Sequence, residues 1–195
     1  PASTPATDLA AYDLYLKGRA LTSSDAGTMR TAAGYFEQAV ALDSTFVDAW
    51  AQLSLSLSRV FFNGSRDPVA SGRARVAMER AIALNPNLPA GHLAAATYYG
   101  LVAPDPDRAA AAVNRSLQLA PNDAEVLGMA ARADLSAGRI DAATAKLERA
   151  REIDPRSSST LAALQQVYLF QRRFREATDA GQAAVLLTPD DLNLN

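Results

Sequence analysis

Ile140-Asp-Ala-Ala-Thr-Ala-Lys-Leu-Glu-Arg-Ala-Arg-Glu-Ile-Asp-Pro155 decides the fold. Two small residues, Ala143 and Ala150, flank the larger Leu147, and a proline closes the stretch five residues after the second small one. Spacings of four and three put these side chains on one face of a helix. Small residues let two helices cross closely, while the larger residue fills the gap beside them. Proline lacks an N–H and clashes with the preceding turn, so it stops the helix. Working outward, the same spacing returns as Ala32, Phe36, Ala39, Ser44; Ala74, Met78, Ala81, Pro86; Ala109, Val113, Ser116, Pro121; and Ala177, Gly181, Ala184, Pro189. Pro86, Pro121, Pro155 and Pro189 lie 35, 34 and 34 residues apart. A period of that length, closed by proline, marks a solenoid of helix-turn-helix units.

Each closing stretch is preceded by another helical pattern with large, large-small and large residues at intervals of three, one and three. The sets are Leu14, Lys17, Gly18, Leu21; Trp50, Leu53, Ser54, Leu57; His92, Ala95, Ala96, Tyr99; Leu127, Ala130, Ala131, Asp134; and Leu161, Leu164, Gln165, Tyr168. Helices are therefore expected near 8–22, 28–42, 46–61, 67–84, 88–102, 106–119, 122–137, 139–153, 157–171 and 173–187. Asn122 and Ser157 or Ser158 are the expected N-caps, Asp67-Pro68 and Asp105-Pro106 each pair a cap with Pro at the first helical position, and Gly138 is the expected C-cap glycine. The units span about 11–44, 47–86, 89–121, 124–155 and 158–189, in one continuous array over 9–189. Unit two departs most: Ser54 to Ala74 covers 20 residues instead of 12, which makes Phe61-Phe62-Asn63-Gly64-Ser65-Arg66 an insertion.

On these residues the chain resembles the tetratricopeptide repeat family, which implies an all-α, right-handed superhelical solenoid. The stretches Ala11-Tyr-Asp-Leu-Tyr-Leu-Lys-Gly-Arg19 and Tyr35-Phe-Glu-Gln-Ala-Val-Ala-Leu-Asp43 are similar to the first repeat of tetratricopeptide regions in bacterial adenylate cyclases, serine/threonine kinases and winged-helix regulators. Such regions follow an effector domain. Residues 1–8, rich in Pro, Ala, Ser and Thr, accordingly read as a linker, and the absence of an initiator Met as the mark of a longer parent. Residues 190–195 read as the start of a truncated further or capping helix. The resemblance further implies a concave binding face lined by first-helix residues: Tyr12, Tyr15, Leu16, Arg19, Ala51, Gln52, Leu55, Arg59, Leu93, Thr97, Met129, Arg132, Ala163, Gln166 and Phe170. The family's carboxylate clamp is not matched, because Tyr15, Arg19 and Gln52 stand at its positions.

Composition narrows the function. Nineteen Lys and Arg against 21 Asp and Glu give a net charge of −2, so no global field draws in nucleic acid or an anionic membrane. Without Cys, thiol catalysis, disulfides and thiolate metal sites are excluded, and the compartment stays open, with a soluble, cytoplasmic placement as the working expectation. No apolar run reaches the length of a membrane span. The single histidine, His92, occupies the slot that Trp50 fills in unit two and is expected to pack there, since a zinc site needs three or four ligands. No glycine-rich phosphate loop and no nucleophile-base pairing is apparent, and no cofactor is expected. Arg172, Arg173 and Arg175 stand beside Glu176 and Asp179 and read as an ion-paired face. Asp134, where a bulky residue is usual, needs a partner near a helix end.

The expected function is therefore non-catalytic binding of a protein or peptide segment with apolar and acidic residues, by anchors set among Arg19, Arg59 and Arg132. A small-ligand sensor and a structural self-assembly element are the alternatives. Self-association through an uncovered C-terminal end belongs to the second.

Overall fold

The computed structural model describes residues 8–21, 25–64 and 66–187. These residues form ten helices and no strand: α1 (Leu9–Ala20), α2 (Ala26–Leu42), α3 (Val47–Asn63), α4 (Pro68–Leu84), α5 (Pro89–Leu101), α6 (Pro106–Leu119), α7 (Ala124–Ser136), α8 (Ile140–Ile153), α9 (Ser158–Phe170) and α10 (Phe174–Leu187). Consecutive helices pair, α1 with α2 through to α9 with α10, so the fold is an all-α helical repeat. The chain divides into two compact units, Pro1–Leu119 with α1–α6 and Ala120–Asn195 with α7–α10. Of the expected linker at 1–8 only Asp8 is among the described residues, where it caps α1, and the expected further helix at 190–195 lies outside them.

One contact recurs where paired helices cross. In the first pair Gly18 meets Phe36, which is buried, and a methyl group added to Gly18 would stand 2.6 Å from the Phe36 ring. In the last pair the sizes are exchanged: Gly181 now lies under Gln165, whose amide nitrogen would be 2.6 Å from an added Cβ. The corresponding residues of the other pairs, Ser54 with Met78, Ala96 with Val113 and Ala131 with Leu147, are buried on both helices. The summed size at the crossing is what the fold fixes, and either helix can supply the larger side chain.

Local chemistry sets the helix ends. Asp8, Asp25, Asp67, Asp123 and Ser157 accept hydrogen bonds from the first N–H groups of their helices. Two of these differ from the sequence reading. Asp123, not Asn122, caps α7, because its Oδ1 accepts from both Glu125 and Val126. Asp25 starts α2 two residues earlier than expected, through Gly27 and Thr28. Asp105 accepts from the Arg108 N–H ahead of α6, as the Asp-Pro pairing implied. The first three residues of the insertion in unit two are helical, since α3 runs through Phe61, Phe62 and Asn63, and both α3 and α4 have 17 residues.

Turns between pairs are alike. The N–H groups of Phe46, Leu88, Asp123 and Ser157 return to the carbonyls of Asp43, Asn85, Ala120 and Asp154. Three of these turns also have an Asx bond, Asp43 to Thr45, Asn85 to Asn87 and Asp154 to Arg156. Pro86, Pro121 and Pro155 occupy the second turn position, where their fixed φ is suited. Within the second unit, α7 and α9 end alike: Arg139 and Arg173 N–H reach back to Asp134 and Tyr168 carbonyls at 2.8 Å, around a left-handed residue. That residue is Gly138 at φ 74° after α7, as expected, but Arg172 at φ 59° after α9.

Gly34 in α2 has open space where a side chain would stand, whereas Gly18 has Phe36. Gly34→Ala is expected to stabilise by about 0.5–1 kcal/mol. Gly18→Ala should fall short of it by about 1–3 kcal/mol through overpacking. Arg172→Gly should stabilise by about 0.5–1 kcal/mol by relieving a left-handed non-glycine residue. Urea unfolding of the three variants checks the order.

Candidate functional site

In the first unit the sequence-predicted face is built on α1. Tyr12 and Tyr15 stack with ring centroids 6.1 Å apart, and both lie against Phe46, at 6.3 and 4.9 Å. Tyr15 also meets Phe36, at 5.9 Å. Phe36 and Phe46 are buried while Tyr12 is 43% exposed, so a ladder of rings runs from the core to solvent. Arg19, one turn beyond Tyr15, donates through Nη1 to the Tyr15 hydroxyl at 3.0 Å. Leu16 is exposed on the same helix, so α1 presents aromatic, aliphatic and cationic groups together.

The other first helices of this unit give less. On α3, Gln52 is half-buried and Arg59 exposed, but Ala51 and Leu55 are buried. On α5, Leu93 and Thr97 are buried. Leu55, Leu93 and Thr97 were expected on an open groove, and that expectation is corrected: α3 packs directly on α5, and the residues beside the partner-facing stripe go into the interior. The hydroxyls of Ser54, Ser58 and Thr97 are buried with no hydrogen-bond partner among the described residues.

In the second unit Arg132 is exposed on α7 with Met129 half-buried, and Gln166 and Phe170 are exposed on α9, Phe170 by 57%. Ala163 is half-buried. Leu169 and Phe174 are exposed beside Phe170. No ion pair holds the Arg132 guanidinium among the described residues.

Several other polar groups serve the fold. Trp50 donates its indole N–H to the Ser44 carbonyl at 3.0 Å, and His92 Nε2 lies 2.8 Å from the Pro86 carbonyl. Both rings thus hold the closing residue of the preceding pair, which accounts for His92. No group of three potential metal ligands occurs among the described residues. Arg173 lies 4.3 Å from the Tyr168 ring centroid and pairs with Glu176 at 3.0 Å, as the ion-paired reading expected. Tyr168 in turn donates to Glu148 at 3.0 Å.

Asp134 is the buried acid of the second unit. Its Oδ1 accepts from Arg139 Nε and Nη2 at 2.8 and 2.7 Å, and Oδ2 from Lys146 at 2.6 Å. Burial pushes its pKa up, but the bonds from Lys146 and Arg139 outweigh it and hold the carboxyl below its ordinary value. The sequence indicated the need for a partner but not the partners. Lys146 lies 12 residues away on the paired helix.

With the geometry in place, comparison with known proteins identifies the architecture. The tetratricopeptide repeat family model matches residues 103–168. This stretch is similar to tetratricopeptide repeats. Similarity of fold extends much further. A thermophilic tetratricopeptide protein of Thermus thermophilus has 19% identity over 94% of this chain and 94% of its own, with a TM-score of 0.72. MamA has 14% identity over 86% of this chain and 93% of its own, at 0.53. YrrB, a tetratricopeptide protein with an unusual peptide-binding site, has 18% identity over 92% and 87%, at 0.51. Identities this low show a shared fold. No curated protein sequence matches the chain significantly. Among the described residues no helix is long and apolar enough to cross a membrane.

The Asp134 cluster gives a pH dependence with a defined sign. A folded-state pKa below the unfolded value of about 3.8 contributes stability at neutral pH, which is lost as pH falls through the folded value. Asp134→Asn is expected to cost about 1–3 kcal/mol at pH 7, discounted for the exposure of Arg139. The difference between wild type and variant should narrow below about pH 4 in urea titrations. A difference that stays constant from neutral to acid would refute the pairing.

Proposed function

We propose that this tetratricopeptide solenoid is a non-catalytic module that binds a protein or peptide segment bearing apolar and acidic residues. The observation that carries the reading is the ring ladder of α1. Tyr12 is half in solvent yet backed by Tyr15 and the buried Phe46, with the buried Phe36 behind Tyr15, and Leu16 and Arg19 extend the same helix. Rigid aromatic groups with a neighbouring guanidinium make an anchor at low conformational cost and a hydrogen-bond donor to a carboxylate. Gln52 and Arg59 add polar groups in the first unit. Arg132, Met129, Gln166 and Phe170 give the second unit a comparable mixture of apolar surface and cation.

The parent protein in this reading is a bacterial signalling or regulatory protein, with this module as its interaction or sensory part. Its support is the first-repeat motif, Ala11 to Arg19 with Tyr35 to Asp43, which is also the pair joined by the Gly18–Phe36 crossing. The peptide-binding site of YrrB, on a similar fold, agrees with a peptide as ligand.

Affinity capture from a bacterial lysate with mass spectrometry tests the proposal, comparing wild type with an Arg19→Glu/Arg132→Glu double variant of unchanged circular dichroism. Prey held by wild type and lost with the variant is expected, together with an acidic, apolar binding segment in that prey. Equal retention by both proteins would overturn the assignment of these faces.

A further inference from the structure

A second surface lies on the other helices of the first unit. An open cleft of about 430 Å³ runs between α2 and α4, with Trp50 and Leu53 of α3 among its lining residues. Val40 belongs to one wall; Gly72 and Val76 belong to the other. Glu37 on α2 and Arg73 on α4 form an ion pair from wall to wall.

Three features of this cleft bear on its occupant. First, it is lined chiefly by apolar groups, and Val76 is 54% exposed. The indole N–H of Trp50 is committed to Ser44, so the ring is held in one orientation. Second, Gly72 stands inside the 17-residue α4, where glycine costs about 1 kcal/mol relative to alanine. An added Cβ there would meet nothing within 4 Å, so the chain's own packing does not call for glycine. What its absence of a side chain does is bare the α4 backbone at the cleft wall, as close approach by another chain requires. Third, Glu37 and Arg73 put opposite charges on opposite walls, and each has the other as its ion-pair partner.

We propose that the α2–α4 cleft is a separate docking site for an amphipathic helix of a partner protein. A Leu- or Phe-sized side chain seats on Trp50, a basic residue on one flank faces Glu37 and an acidic residue on the other faces Arg73. A trough open along its length suits an anchor side chain with a charged rim better than an enclosed small molecule, which needs most of its surface covered. The ion pair spans the cleft and is exchanged for two intermolecular pairs on docking. This site lies between two second helices with Trp50 and Leu53 of α3 in its lining, and it shares no residue with the first-helix surface proposed above.

Trp50 is the only tryptophan of the chain, so its fluorescence reports occupancy directly. The probe is a synthetic helical peptide with one 4-bromophenylalanine, Lys on one flank of that anchor and Glu on the other. Saturable heavy-atom quenching of Trp50 is expected. The affinity should fall about tenfold or more in Val76→Glu and in Gly72→Gln, and with a peptide carrying Glu on both flanks. Arg19→Glu/Arg132→Glu should leave it unchanged, which separates failure of this site from failure of the first-helix face. Both cleft substitutions are at exposed helical positions, and thermal melts verify their folding. Unsaturable quenching, or a Val76→Glu variant that binds like wild type, would overturn the proposal. So would bromobenzene quenching as effectively as the peptide, which would assign the cleft to a small apolar ligand. Self-association in sedimentation that Val76→Glu abolishes would assign it to a second copy and equally overturn the partner helix.

Discussion

Paired helices of this chain depend on one crossing contact in which a small side chain on one helix accepts a large one from the other. Close packing makes that contact intolerant of a methyl group where both sides are fixed, as at Gly18 and Phe36, and tolerant where one side is a flexible Gln165. Everything above it follows. The crossing sets the distance between helices, that distance sets which residues flank the buried stripe, and the flanking residues become surface or interior. On α1 they are surface, and Tyr12 emerges from the core as an exposed ring. On α3 and α5 they are interior, and Leu55 and Leu93 disappear.

Polar groups serve the same geometry. Trp50 and His92 each tie an aromatic ring to the carbonyl that closes the preceding pair, through a ring nitrogen at its edge. In the later pairs Leu127 and Leu161 fill it by apolar packing alone. Asp134 replaces a bulky residue with a carboxylate and two cations, which keeps the space filled by charge-assisted hydrogen bonds instead of hydrocarbon.

The repeat, its helices and most caps were legible in the sequence because they rest on spacings of three and four, on Asp and Ser before helices, and on proline after them. Less legible was anything requiring a second helix. Asn122 and Asp123 are both cap residues by type, and only the geometry of the Ala120 turn selects the latter. The fate of Leu55, Leu93 and Thr97 depended on how closely α3 lies on α5, which no single-helix periodicity contains. The cleft beside Trp50 left a faint trace, a glycine in the interior of a helix, but Gly34 and Gly72 look the same until the surroundings of each are known.

The turns impose an unequal tolerance of length change. Connections between successive pairs all use the same short hydrogen-bonded turn, at Asp43–Phe46, Asn85–Leu88, Ala120–Asp123 and Asp154–Ser157. Connections inside a pair differ, from the tight left-handed turns after α7 and α9 to the extended α3 and α4. A turn closed at both ends by a fixed bond has no slack, whereas a helix can gain a turn and still cross its partner at the same point. Evolution and engineering alike can therefore lengthen this chain inside a pair, where a new segment projects beyond the crossing, while an added residue between pairs would shift every helix that follows.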